Sequence, residues 1–150
     1  MKKTEGTKLL FDKYQSIKAN SKTAIILNAI ELGAIIIAVI VFILAGAIAG
    51  SSQEPQKWVV GAIIGYIIIG IGALVGIAAF VFNLIVSITA LNAPVEYVSK
   101  DPVAYDIAKT IKGFGIALLL MSIFIGGLFA LIFEAIIISK VNRFNEHYNR

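Results

Sequence analysis

Residues 58–91 read WVVGAIIGYIIIGIGALVGIAAFVFNLIVSITAL, 34 positions without an Asp, Glu, Lys, Arg or His. As a helix this run is about 50 Å long, which exceeds the ~30 Å hydrocarbon core of a bilayer but leaves no room for two crossings and a turn. It reads as one overlong transmembrane helix, and the class of the chain follows from it, because a backbone in lipid must close its hydrogen bonds within helices. Two further apolar runs flank it. Residues 24–49 hold Glu31 as their sole ionisable group, and residues 113–139 hold Glu134 as theirs. The expected architecture is an all-α integral membrane three-helix bundle, a single domain with TM1 at 24–49, TM2 at 58–91 and TM3 at 113–139.

Composition agrees. The 150 residues are 59% hydrophobic with a mean hydropathy of +0.91, well outside the range of soluble globular domains. The absence of cysteine excludes disulfides, thiolate metal sites and a cysteine nucleophile. The formal charge of +4 is carried almost wholly by lysine, Arg143 and Arg150 being the only arginines, and six lysines precede residue 24. That is a membrane-surface distribution. A nucleic-acid groove needs clustered basic residues with interleaved aromatics, so no nucleic-acid partner is expected.

The segments between the runs have their own signals. Gly50 to Lys57 (GSSQEPQK) is a polar break suited to a tight connection between antiparallel helices. In 92–112, Asp101-Pro102 pairs an N-cap residue with proline at the first helical position. A short interfacial helix is expected there, with Val103, Ile107 and Ile111 opposite Asp106, Lys109 and Lys112. In 1–23, Leu10, Tyr14 and Ile17 form a stripe away from Lys8, Lys18 and Lys22, which predicts an interfacial helix on an anionic surface. In the tail, 140–150, Ile137, Val141, Phe144 and Tyr148 continue a helical stripe, and Glu146 stands four residues before Arg150. This stripe fits peripheral packing or docking to a partner.

A cleaved signal peptide is not expected, because 24–49 is far longer than a signal h-region. Six Lys or Arg precede the first run, Lys57 alone lies in the first loop, three lie in the second loop and three in the tail. With three crossings the positive-inside rule places nine against four inside, giving a cytoplasmic N-terminus and an extracytoplasmic C-terminus in the cell membrane.

Two sets of residues stand out as candidates. Gly61-xxx-Gly65 and Gly72-xxx-Gly76, with Gly46 and Gly50 near the end of the first run, form small-xxx-small patterns that allow close helix approach, within the chain or to another copy. The glycine-rich second helix is similar to that of the rotor-ring subunit of rotary ATP synthases. The chain departs from that family in its three runs and in lacking a mid-bilayer carboxylate, and no residue is carried over.

The second set is polar. Asn28 and Glu31 lie one turn apart at the same expected depth as Asn83 and Ser87 of the second run, with Ser122 of the third near that level, so Glu31, Asn83 and Ser122 are expected to meet in a polar layer. Glu134 lies nearer the end of its run, with Tyr66 as its expected hydrogen-bond donor. No catalytic motif occurs and His147 is the only histidine, so neither an enzyme nor a metal or cofactor site is expected. The leading expectation is a structural or accessory membrane subunit that contacts the bilayer and another membrane protein or a second copy. The alternatives are a small oligomeric ion- or solute-translocating protein using the Glu31/Asn83 layer, and a holin-like lytic peptide.

Overall fold

The computed structural model describes residues 5–52, 55–124 and 127–148, and among them there are four α-helices, one 3-10 turn and no strand. Helix α1 spans Glu5–Ser52, α2 Pro55–Leu91, α3 Pro102–Phe124 and α4 Gly127–Tyr148, with the turn at Val95–Val98 before α3. Three of them, α1, α2 and α3, are long and apolar enough to cross a membrane.

One repeat organises all four. On α1 the buried side chains fall at Leu10, Ile17, Ala24, Ala38 and Ala45 and, half a repeat away, at Thr7, Tyr14, Ser21 and Asn28. On α2 they fall at Gly65, Gly72, Ala79, Val86 and, just past the helix, Ala93, with Ala62, Asn83 and Ala90 on the second line. On α3 the lines are Ala104/Ile111/Leu118 and Ala108/Gly115/Ser122, and on α4 Ala130/Ile137/Phe144 and Glu134/Val141. These are spacings of seven broken into three and four, the seam that packs helices side by side at a small angle in a left-handed bundle.

Helices α1 and α2 form an antiparallel hairpin, from Ala45 against Gly61 at one end to Lys13 beside Asn92, just past α2, at the other. Its outer half is tight because the seam residues are small. A Cβ built on Gly65 would stand 2.7 Å from the Phe42 ring, one on Gly72 would stand 3.0 Å from Ala34, and those on Gly61 and Gly76 would collide with Ala45 and with the Glu31 carboxylate. Gly61, Gly65, Gly72 and Gly76 are thus spent on contact within the chain. By contrast Gly50 faces open space and Gly46 meets only the Trp58 indole at 3.9 Å.

The inner half of the hairpin is completed by α3 and α4 into a four-helix bundle. Helix α3 packs on α2, where Gly115 lies against Ala90, and α4 packs on α1, where the Tyr14 and Phe144 rings meet edge to face at 4.7 Å. The core of this bundle includes Leu10, Ile17, Val86, Ile107, Ile111, Leu118, Ile137 and Val141. Large apolar side chains on the outer half, from Ile35 to Ile48 and from Trp58 to Ile77, are instead exposed.

Several expectations change. The run 113–139 is not one helix: α3 ends at Phe124, α4 begins at Gly127, and residues 125–126 lie outside the described residues. The two helices are antiparallel neighbours, since Phe114 faces Phe133 at 6.0 Å and Asp101, before α3, meets His147 near the end of α4. The described end of the tail therefore lies beside the 92–101 connection, which also receives the Lys13 Nζ hydrogen bond at Asn92 O, 2.7 Å. An extracytoplasmic C-terminus opposite a cytoplasmic N-terminus, derived from three crossings, loses its basis.

Nor is there a separate interfacial helix at either place. No Gly or Pro separates 5–23 from 24–49, so α1 is continuous, and its Leu10/Tyr14/Ile17 stripe is buried on α4 rather than laid on a membrane. The Asp101-Pro102 start is real, with Asp101 Oδ1 accepting from the Val103 and Ala104 N–H groups at 3.1 and 3.0 Å. The helix it starts then runs on through Gly113 and Gly115 to Phe124. The tail stripe Ile137/Val141/Phe144 is consumed by α1 and is not a free docking face.

Because Gly61 touches α1 while Gly70 has nothing within 4 Å of its Cβ position, the two separate packing from helix propensity. Gly61→Val should lower stability in detergent by about 1–3 kcal/mol, the usual cost of overpacking. Gly70→Ala should be neutral or stabilise by up to ~1 kcal/mol. Thermal unfolding of the two variants, followed by circular dichroism, checks the ordering.

Candidate functional site

The seam that buries apolar residues also buries polar ones. Asn28 on α1 and Glu134 on α4 occupy seam positions and are 3% and 0% exposed, so both have left their surrounding solvent, whether water or lipid headgroups. Asn28 Nδ2 donates to Glu134 Oε2 at 3.4 Å, a long hydrogen bond. Glu134 Oε1 and Asn28 Oδ1 have no protein partner, nor do Asn83 Oδ1 and Ser122 Oγ, which are buried on α2 and α3. The Ser87 hydroxyl is satisfied by donating to the Asn83 carbonyl at 2.8 Å. An acceptor and a carboxyl oxygen left unpaired in a core are costly, and this cost falls on the Asn28–Glu134 pair.

The sequence named these residues but grouped them differently. Glu31 is half-exposed and lies against Gly76, seven residues along α2 from Asn83, and the structure records no contact between the two. Tyr66 is on the outer hairpin, 67% exposed and edge-on to Phe42 at 5.4 Å, so it does not serve Glu134. The Asn28–Glu134 pair was legible only through the seven-residue repeat. Asn28 continues Tyr14 and Ser21, and Glu134 precedes Val141 by one repeat.

A second group lies where the chain ends meet. The His147 ring places Nε2 2.7 Å from Asp101 Oδ2, so the carboxylate that caps α3 with one oxygen holds α4 with the other. Partial burial pushes the Asp101 carboxyl up, but the Ala104 N–H, the His147 side chain and the Val103 N–H together hold it below the usual aspartate value. Val103, Ile107, Arg143 and Glu146 complete a cleft of about 300 Å³ beside it. At the opposite end of the molecule an open apolar groove of about 620 Å³ lies between α1 and α2, walled by Val41, Leu44, Ile48, Val60 and Ile64 with Lys57 at its rim. Among the described residues no three His, Asp or Glu side chains come together as a metal site.

Comparison with known proteins adds no relative: no family model, curated protein or solved structure matches the chain.

Two tests follow. Asn28→Ala would leave both Glu134 oxygens unpaired and should destabilise by about 1–3 kcal/mol, whereas Glu31→Gln, at a half-exposed site, should change little; chemical denaturation in micelles ranks them. The second uses pH. A carboxyl whose folded pKa is depressed contributes stability above its unfolded value, about 3.9, and loses it as pH falls through the folded value. Unfolding temperature should therefore drop on acidification below about pH 4, and Asp101→Asn should flatten that part of the profile.

Proposed function

We propose that the protein is a small polytopic membrane protein with a structural or accessory role. In this reading the apolar α1–α2 hairpin is its anchor, and the bundle of all four helices holds a charged surface at one membrane face. The observation that carries this reading is the segregation of charge along an unbroken helical frame. Twelve of the thirteen Lys and Arg residues belong to segments flanking the bundle end, and Lys57 alone lies at the hairpin tip. Exposed Asp106, Lys109, Arg143 and Glu146 face outward from α3 and α4 there. With α3 and α4 folded back on each other, the positive-inside rule puts both termini and the charged end of the bundle on the cytoplasmic side. This imbalance is steeper than nine against four, and it supports an even number of crossings.

An accessory role fits the way the frame is built. Seam contacts on α1 run from Thr7 to Ala45, so a load or partner on the bundle is coupled mechanically to the anchor. Purification in mild detergent should co-isolate a second membrane protein or a second copy in fixed ratio. Recovery of the monomer alone would count against the role. Reporter fusions at both termini should report the same, cytoplasmic side.

A small ion- or solute-translocating role is favoured by one observation, the unpartnered oxygens of Asn28, Asn83, Ser122 and Glu134. This moves the functional carboxylate from Glu31 to Glu134. In reconstituted vesicles Glu134→Gln should then abolish a flux that Glu31→Gln leaves intact, and an equal flux through both variants would remove this reading.

A further inference from the structure

Helix α3 has the length to cross a membrane, yet its two halves differ in surface. Asp106 and Lys109 are exposed on its first half and Lys112 is half-exposed. From Gly113 on, its outward residues are Ile116, Leu120, Ile123 and Phe124. Helix α4 mirrors this in reverse, with Phe129 and Ile132 exposed near its start, and half-exposed Lys140 and exposed Arg143 and Glu146 towards its end. The apolar parts are 113–124 and 127–139, each about 18–20 Å long at 1.5 Å per residue, little more than half of a ~30 Å hydrocarbon core. The apolar part of α1 beside them, 24–49, is about 39 Å long. At the end of α3 Phe124 is 79% exposed, the highest value among the described large apolar side chains, and no described residue covers it.

We infer that the α3–α4 hairpin is a one-leaflet insert, entering and leaving by the basic face with its Phe124 tip among the acyl chains near mid-bilayer. Its occupant is lipid. The basic residues stop at Lys22, Lys112 and Lys140, with only Glu31 and Glu134 ionisable beyond them on these helices, which marks one headgroup level on the three, and anionic headgroups complement the lysines. A consequence follows from cross-section. The basic-side leaflet holds four helices and the opposite leaflet two, each about 10 Å across, so the protein is a wedge and favours a membrane convex on its bundle side.

The inference rests on the membrane orientation proposed above, and the cysteine-free chain allows both to be tested with single-cysteine variants. Lys57→Cys, Phe124→Cys, Phe129→Cys and Glu146→Cys would each be reconstituted into phosphatidylglycerol/phosphatidylethanolamine vesicles. The labels at 57 and 146 should react with an impermeant maleimide from opposite faces. Reaction from the same face would overturn the orientation. Given opposite faces, the labels at 124 and 129 should react from neither and should be quenched by acyl-chain-borne spin labels. Reaction of either from the side of position 57, or protection from the lipid quencher, would overturn the one-leaflet hairpin. For the wedge, the fraction of molecules with position 146 outside should rise several-fold in small sonicated over large extruded vesicles, and equal fractions would overturn it.

Discussion

The structure depends on one constraint, a seven-residue seam that each helix must present to its neighbours. On α1 it carries Leu10, Ile17, Ala24, Ala38 and Ala45, and on α2 Gly65, Gly72, Ala79 and Val86. In the outer half the seam residues are small, because two helices in lipid gain nothing from hiding apolar surface and cohere through close backbone approach. In the inner half they are large, Leu10, Tyr14, Ile17, Ile111 and Phe144, and each such side chain withdrawn from water is worth roughly 1.5–3 kcal/mol. The size gradient along one seam thus matches a change of solvent along the same helices.

The seam also explains where the polar atoms are. Asn28, Asn83, Ser122 and Glu134 are buried because their positions in the repeat face inward, whatever their chemistry. Polar residues at such positions cost stability and fix which helix faces which, as a single buried asparagine does in a coiled coil. Glu134 and Asn28 join α4 to α1 in this way, and each keeps one buried oxygen without a hydrogen-bond partner in the protein.

The ends of the bundle are fastened by different means. Asp101 caps α3 and grips His147, Lys13 reaches the Asn92 carbonyl, and Tyr14 meets Phe144. These contacts bring the connection before α3, the end of α4 and the start of α1 to one place, and the basic residues of those segments gather there. Charge asymmetry across the molecule is therefore a product of folding back, not of the order of residues along the chain.

Much was written in the sequence. Runs 24–49 and 58–91 had to be helices because their length and apolarity leave the backbone no other way to satisfy itself in lipid, and the Asp101-Pro102 start was legible in its cap chemistry. The stripes at Leu10/Tyr14/Ile17 and Ile137/Val141/Phe144 were also visible, but a stripe does not name what it packs on. Tertiary structure decided that they pack on each other, that Glu31 turns to Gly76 while Glu134 takes Asn28, and that 113–139 is a hairpin. Hydropathy could not decide the last of these. An apolar run of that length has the same composition whether it is one straight helix or two that fold back on each other, and only the pairing of Phe114 with Phe133 and of Asp101 with His147 tells the two apart.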